Sequence, residues 1–175
     1  MKVYRTKKHF IFLVGLLFVG SLFFGISNYM YLEGNLSTGK LLVLILLSLF
    51  LFLNLLLLLI KKVSMTENEI FVKSLFARKK INLDDLEDVG VIKLKGRYSV
   101  LVYDSNGFCM ITSTLAGFEE ILENLKSKGG GEIASKLDEL SDKTLKRQAL
   151  FGVSFLILAN VFLFCFSVYN LLLIE

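Results

Sequence analysis

Residues 34–40 are the part of the sequence closest to a nucleotide-binding motif. They read Gly-Asn-Leu-Ser-Thr-Gly-Lys, which fits the G-x-x-x-x-G-K portion of a phosphate-binding loop. In such a loop a Ser or Thr follows the lysine and holds Mg²⁺, but Leu41 stands at that position here. No strand pattern precedes the motif and a long apolar segment follows it, so we predict a flexible turn and no nucleotide site.

A cluster of acidic residues at 84–88 contains the residue types that a metal site or an acid–base site uses. General acid–base catalysis needs carboxylates in a cleft with shifted pKa values. Acidic side chains also favour the first turn of a helix, where they face its positive dipole end. We predict this structural role, in a short helix, for Asp84, Asp85, Glu87 and Asp88.

Zinc, thiol and nucleophilic chemistry have few candidate residues. His9 is the single histidine, and the two cysteines, Cys109 and Cys165, are far apart in the sequence. A structural zinc site takes four such ligands, and no Ser/His/Asp or Cys/His set can be assembled. We therefore expect no catalytic residue, metal, cofactor or disulfide, and a protein that is not an enzyme.

Two basic runs are the remaining candidates for a binding surface. Basic residues near a membrane surface gain about 1 kcal/mol each from anionic headgroups. The alternative is a solvated strand edge, where lysine discourages pairing with other sheets. The sequence leaves both interpretations open for Arg78, Lys79, Lys80, Lys93, Lys95 and Arg97.

The elements that position these residues begin with three long apolar segments. Hydrophobic residues make up 54% of the 175-residue chain, and Phe10–Tyr29, Leu41–Ile60 and Ala149–Ile174 contain no charged residue. Each reaches the ~20 residues that a helix needs to cross a bilayer. The first follows a basic flank, as a signal peptide does, but its length and the absence of a cleavage motif favour a retained helix. We predict three transmembrane helices.

The distribution of lysine and arginine predicts the orientation of these helices. Cytoplasmic flanks of membrane helices collect positive charge. Four basic residues precede the first segment, two follow the second and three precede the third, whereas the first loop holds only Lys40 and the C-terminus none. We predict a multi-pass protein of the cytoplasmic (inner) membrane, with the N-terminus and central region cytoplasmic and the C-terminus outside.

The same count argues against nucleic acid as a partner. The formal net charge is +4, and it comes from the N-terminal flank, because residues 61–147 hold nearly balanced charges. A nucleic-acid-binding domain needs a basic face of its own. The expected partners are therefore membrane lipids and a protein or a second copy of the chain.

Between the second and third segments the pattern changes to short strands. Val63–Lys128 alternates apolar and polar residues, and Asp104-Ser105-Asn106-Gly107 is a hairpin-turn sequence, since Asn-Gly readily adopts positive φ angles. A helix with an apolar stripe at i, i+3, i+4 and i+7 then follows from Phe118, with Thr114 as its cap and Gly129 as its stop. The predicted strands are Ile70–Lys73, Arg78–Ile81, Val89–Leu94, Tyr98–Tyr103 and Phe108–Thr112.

Residues 65–89 carry a family pattern. Met65–Ile81 matches T-x-x-x-I-x-V-x-S-L-F-x-R-K-x-I, and Asn82–Val89 matches the L-x-D-I-x-x-V turn of helix that follows it. The chain thereby resembles the bacterial pleckstrin-homology-like (PH-like) domain, although Asn82 replaces a frequent proline and the third span lies outside the shared region. The resemblance implies two roughly orthogonal sheets capped by a helix, a fold that hosts binding and scaffolding and fixes no chemistry.

A glycine run at 129–131 predicts a hinge. Beyond it Ile133, Leu137, Leu140 and Thr144 share one helix face, and Glu139→Lys143 and Asp142→Lys146 form i,i+4 pairs. With no breaker up to residue 174, we predict one helix that continues into the third span. Its apolar stripe docks either on its own domain, which we favour, or on a partner helix.

These elements define an α+β membrane protein with three transmembrane helices and a small antiparallel β-barrel or sandwich of PH-like type, capped by a helix. The predicted regions are 1–62 (basic flank and helical hairpin), 63–128 (cytoplasmic PH-like domain), 129–147 (hinge and amphipathic helix) and 148–175 (third span). We expect a membrane-anchored scaffold that recruits a protein or peptide at the cytoplasmic face. The alternative is an accessory subunit of a membrane transport or envelope-assembly complex, bound through its spans.

Overall fold

A computed structural model describes residues 1–32, 37–75, 77–94, 97–105, 107–138, 140 and 142–173. In these residues the chain is an α+β protein with five helices and two antiparallel sheets. The strands are β1 (Lys2–Arg5), β2 (Lys62–Met65), β3 (Glu69–Lys73), β4 (Arg78–Asn82), β5 (Leu86–Leu94), β6 (Arg97–Asp104) and β7 (Gly107–Thr112). The helices are α1 (Lys8–Tyr31), α2 (Thr38–Ile60), α3 (Phe118–Lys128), α4 (Gly130–Asp138) and α5 (Asp142–Leu172).

Three of the helices are long and apolar enough to cross a membrane, as predicted. The apolar stretches span Lys8–Tyr31, Thr38–Ile60 and Ala149–Leu172, and each exceeds the ~20 residues that a bilayer core requires. The protein is therefore membrane-embedded. The segment 33–36, which holds the first three residues of the phosphate-loop-like sequence, lies outside the described residues, and the last three residues of that motif, Thr38 to Lys40, belong to α2.

The helices contact one another through α1. The hydroxyls of Ser21 in α1 and Ser48 in α2 lie 3.4 Å apart. In α5 the Asn160 amide donates to the Leu13 carbonyl of α1 at 3.2 Å, as well as to its own helix. These polar side chains thus find their partners within the chain.

The first sheet has the order β1-β2-β3-β4, and its first strand comes from the N-terminus. Lys2–Arg5 was predicted to be only a basic flank of the first span. Instead it pairs antiparallel with β2, on the far side of the helical hairpin, and Tyr4 is buried in the core. Four residues are too short for a periodic signal, which is why the sequence pattern does not reveal this strand.

The outer edge of β1 is also covered. Lys7 N–H donates to the Thr114 carbonyl at 2.9 Å, and Ala116 N–H donates to the Arg5 carbonyl at 2.8 Å. An isolated bridge joins Thr6 to Leu115 between them. The N-terminal residues are therefore bound on both sides by the chain that follows the hairpin.

The second sheet has the order β5-β6-β7. The five predicted strands are present as β3 to β7, with bounds shifted by up to three residues. The predicted hairpin joins β6 to β7, with Asp104 opposite Gly107, whose φ of 130° explains the glycine. Asn106 of that turn lies outside the described residues, as do Lys95 and Gly96 between β5 and β6.

The turn between β4 and β5 stands where a short helix was predicted. The acidic cluster was expected in the first turn of a short helix, but Leu83–Asp85 is a tight turn and β5 starts at Leu86. The turn is held by side chains rather than by a helix. Asn82 Nδ2 donates to Asp85 Oδ2 at 2.7 Å, and Asn68 Nδ2 donates to Asp84 Oδ2 at 2.7 Å.

Helix α3 closes the core as the apolar stripe predicts. Its four stripe residues are buried together with residues of both sheets. The predicted cap was wrong: α3 is preceded by Gly117 in the left-handed region (φ 74°), with no side-chain cap. Thr114 instead shares a hydrogen bond with the Thr112 hydroxyl at 2.8 Å.

Helix α4 packs onto this same core, so its stripe docks on its own domain. It contacts α3 and β5, and Ile133, Leu137 and Leu140 are buried in the core cluster. The single continuous helix predicted here was wrong, because α4 ends at Asp138 and α5 begins at Asp142. Glu139 and the side chains at 142–146 lie outside the described residues. Both predicted ion pairs, Glu139–Lys143 and Asp142–Lys146, therefore lie outside them too.

The chain divides into two compact units. One comprises Met1–Lys7 with Leu59–Gly152, and the other comprises Lys8–Leu58 with Val153–Glu175. The first unit holds both sheets, which share one hydrophobic core but remain two separate sheets in the described residues. Its bounds are wider than the predicted region 63–128, since they include Met1–Lys7 and extend to Gly152.

Candidate functional site

The outward side of the three-stranded sheet carries a group of apolar side chains beside the polar residues Asp88, Arg97, Ser99 and Thr112. Side chains alternate along a strand, so the positions between the buried core residues of β5, β6 and β7 point outward. We call this surface the outer apolar face; it comprises Ile92, Leu94, Leu101, Tyr103, Phe108 and Met110.

Much of this face is open to solvent. Phe108 is 52% exposed, Met110 45%, Leu94 40% and Ile92 38%. The register places Leu101 opposite Met110, and Tyr103 opposite Phe108 with ring centroids 5.7 Å apart. A group of exposed apolar side chains on one side of a sheet typically marks an interaction site.

Basic residues border the outer apolar face. The ammonium group of Lys79 lies 5.9 Å from the centre of the Phe108 ring, and Arg97 stands opposite Leu94 at the end of the β5–β6 pair. The carboxylate of Asp88, at the far end of β5, is paired with Lys136 at 2.7 Å. The rim thus offers positive charge to a partner.

The predicted basic runs are distributed over two sheets. Arg78, Lys79 and Lys80 follow one another on β4, so Arg78 and Lys80 share one face and Lys79 has the other. Lys80 is engaged: its ammonium lies 2.6 Å from Glu69 Oε1 and 5.5 Å from the Phe71 ring.

The second run belongs to the other sheet. Lys93 is in register with Tyr98, and Arg97 is in register with Leu94, while Lys95 lies outside the described residues. The two runs therefore do not lie on one strand or one sheet.

The structure reveals a second basic surface that the sequence analysis missed. The register of the four-stranded sheet places one cation on each strand in a single row, which we call the basic row: Arg5, Lys62, Lys73 and Arg78. Only Arg78 was a predicted site residue. No sequence signal could have found the row, because it depends on pairing the N-terminal strand with β2 across the helical hairpin.

Lys61 lies next to this row and is half-buried. Its ammonium donates to the Thr112 hydroxyl at 3.1 Å. Burial, with a smaller contribution from the positive charge of Arg97, lowers the pKa of Lys61 from 10.5 to about 8. Its charged form is thus costly in the folded protein.

Cys109 is an inert thiol. It is 3% exposed on the core side of β7. Burial, assisted by the negative charge of Asp104, raises the pKa of Cys109 to about 12. A thiolate is therefore scarce at neutral pH, and the residue fills space in the core.

The acidic cluster serves structure. Asp84 lies 3.4 Å from the Lys128 ammonium, and Asp88 accepts from Lys136 and from the Val89 N–H at 2.7 Å each. The hydrogen bond from Lys136 and, to a smaller extent, that from the Val89 N–H lower the pKa of Asp88. Within the part of the chain that the structure describes, no three His, Cys, Asp or Glu residues are grouped as a metal site would require.

Comparisons of this chain with protein-family models, with curated proteins and with solved structures found no match.

Proposed function

We propose that this protein is a membrane-anchored, non-enzymatic binding module that recruits a protein partner through the outer apolar face. The observation that carries the proposal is the exposure of Phe108, Met110, Leu94 and Ile92 on one side of one sheet. Burial of apolar surface is the main driving force of protein association. An exposed sheet face with an apolar centre suits such an association better than it suits catalysis.

The rim of the face indicates the chemistry of the partner. Lys79 and Arg97 border the apolar centre, and interfaces arrange opposite charges across their margins. We therefore propose a partner that presents an apolar segment flanked by acidic residues. A second copy of this chain presents cations at the same positions, so it is the less favourable occupant.

The PH-like assignment is part of the proposal. Support comes from the order of elements: four antiparallel strands, then three antiparallel strands, then helix α3 on the shared core. In this scheme the helical hairpin is an insertion between the first and second strands. Such folds serve binding and scaffolding, which agrees with an apolar docking face.

The proposed location is the cytoplasmic face of the inner membrane. The bias of lysine and arginine supports it. Pairing of β1 with β2 supports one part of this topology, because it keeps both ends of the α1–α2 hairpin in one folded unit and therefore on the same side of a membrane. The two helices between β1 and β2, α1 and α2, cross the membrane twice and so return the chain to the side on which it started.

The alternative, an accessory subunit bound through its spans, has less support. The polar side chains that would bind another helix are engaged inside the chain, since Ser21 meets Ser48 and Asn160 donates to Leu13. Polar contacts between membrane helices contribute to their association, and here they hold the chain's own helices together.

Co-purification from native membranes tests the proposal. Met110→Glu places a charge in the centre of the outer apolar face and should reduce recovery of the partner at least about tenfold. Glu123→Gln, on the exposed side of α3, is the matched control and should leave recovery unchanged. If the wild type, Met110→Glu and Glu123→Gln recover the same partners in equal amounts, the outer apolar face is not the docking surface.

A further inference from the structure

We propose that the basic row binds the phosphate oxygens of anionic lipid headgroups. This is a second binding surface, on a different sheet from the outer apolar face and independent of protein recruitment. The row consists of Arg5 on β1, Lys62 on β2, Lys73 on β3 and Arg78 on β4.

The register brings the four cations onto one face. Arg5 is opposite Lys62, Lys62 is opposite Lys73, and Lys73 is opposite Arg78. Residues opposite one another in antiparallel strands project to the same side. The adjacent row along the strands contains the buried residues Tyr4, Val63 and Val72. Because successive side chains of a strand point to opposite faces, the basic row projects away from the core. With strands ≈ 4.8 Å apart, the four cations span roughly 14 Å.

No carboxylate among the described residues pairs with any member of the row. Like charges directly opposite each other in a sheet are destabilising, and this sheet repeats that arrangement three times in one row. Carboxylates of the domain that form ion pairs do so with other lysines, as Glu69 does with Lys80 and Glu120 with Lys2. The row is thus an uncompensated positive stripe, which an external anion would neutralise.

Chain connectivity keeps two members of the row, Arg5 and Lys62, near the ends of membrane-spanning helices. Arg5 precedes the start of α1 by three residues, and Lys62 follows the end of α2 by two. A residue spans at most about 3.6 Å of extended chain, so both side chains stem from backbone within about 10 Å of a membrane helix. Lys7, Lys8 and Lys61 flank the same helix ends and add to the positive field.

The side-chain types fit phosphate. Arginine offers a planar fork of donors that matches two phosphate oxygens, and lysine adds a compact charge. Arginines occupy the two ends of the row and lysines its centre. Inorganic phosphate offers the same oxygens, so the experiment must separate the lipid from the free ion.

The test uses the full-length protein in an uncharged detergent, with thermal unfolding followed during titration. The probes are dioctanoyl phosphatidylglycerol, dioctanoyl phosphatidylcholine and inorganic phosphate. We expect a saturable stabilisation by phosphatidylglycerol alone. Lys73→Gln combined with Arg78→Gln should weaken it roughly 25-fold, about fivefold per charge removed.

Lys79→Gln is the matched control, because it removes a charge from the same strand but from the other face. It should weaken phosphatidylglycerol binding less than twofold. Without lipid, the double variant should unfold at the same or a higher temperature than the wild type, since two opposed cations are gone; this separates lost binding from misfolding.

Three results would overturn the proposal. Equal stabilisation by phosphatidylcholine would show that charge is not recognised. If Lys79→Gln weakens phosphatidylglycerol binding as much per charge removed as the double variant does, binding depends on a diffuse positive field instead of the row. Saturation by inorganic phosphate at the same concentrations would assign the site to a free anion rather than a lipid.

Discussion

Val3 lies directly opposite Ser64 in the pairing of β1 with β2. The two residues flank the entire α1–α2 hairpin in the sequence, yet they are neighbours in one sheet. The folded unit that carries both candidate surfaces is therefore assembled from two separate parts of the chain.

Engineered disulfides test this pairing. In a background with Cys109→Ala and Cys165→Ala, the pair Val3→Cys and Ser64→Cys should form a disulfide under mild oxidation, because opposed strand residues are within the reach of a disulfide. Val3→Cys with Phe71→Cys is the control. Phe71 is one strand further away, at about 9.6 Å, and should not cross-link. Cross-linking of both pairs, or of neither, would contradict the register.

Loss of the Leu137 side chain of α4 should destabilise the domain. Leu137 is fully buried in the shared core, and Leu→Ala substitutions at such sites cost about 2–5 kcal/mol. We expect Leu137→Ala to lower the free energy of unfolding by that amount, and Ser135→Ala, on the exposed side of α4, to change it by less than about 0.5 kcal/mol. Denaturant unfolding of the full chain measures both.

The same reasoning applies to a fragment of residues 63–128. It lacks Tyr4 of β1 and the buried residues of α4, so we expect no cooperative unfolding transition. A stable, cooperative fragment would show that these elements are dispensable.

Lys61 should make stability depend on pH. Its pKa is about 8 in the folded protein and 10.5 in the unfolded chain, so between these values the unfolded state binds more protons and stability rises with pH. Below pH 8 the folded state carries the full cost of a buried charge. Lys61→Met should therefore raise the unfolding temperature at pH 7 and do so less at pH 9.5.

Lys61→Arg is the control for this effect, because arginine stays charged at both pH values. It should remain less stable than Lys61→Met at pH 7 and at pH 9.5 alike. An uncharged detergent excludes stabilisation by anionic lipid. If Lys61→Met unfolds at a lower temperature than the wild type at pH 7, the charged lysine is not disfavoured in the fold.

Orientation requires an introduced thiol, because native Cys109 is buried and its pKa is raised. Glu119 is exposed on α3. In the background without native cysteines, we expect Glu119→Cys to react with a membrane-impermeant maleimide only when the cytoplasmic face is accessible. Sealed vesicles of both orientations provide the comparison, and labelling from the opposite face alone would reverse the proposed topology.

The sequence reveals those elements whose signals are local. Uncharged runs locate the three spans, alternation locates β3 to β7, and the stripe from Phe118 locates α3. The N-terminal strand escapes detection because its partner is distant and its length is four residues. The expected helix at the acidic turn failed because side-chain hydrogen bonds from Asn68 and Asn82 stabilise a tight turn instead.

The candidate surfaces depend even more on register. The outer apolar face is hidden in the sequence because its members alternate with core residues of similar apolar type, so composition alone cannot assign them to a side. The basic row requires four strands to be aligned, and one of them was unrecognised. Single residues such as Arg78 were visible as charges, but their neighbours were not.

Site-specific photo-crosslinking in native membranes tests the proposed function most directly. A photoreactive amino acid at position 110, in the centre of the outer apolar face, should give one dominant adduct with another protein. The same amino acid at Glu123, on α3, should give none, and Phe108→Glu should abolish the adduct at 110. Equal adducts at 110 and 123, or an adduct at 110 that survives Phe108→Glu, would contradict recruitment through this face.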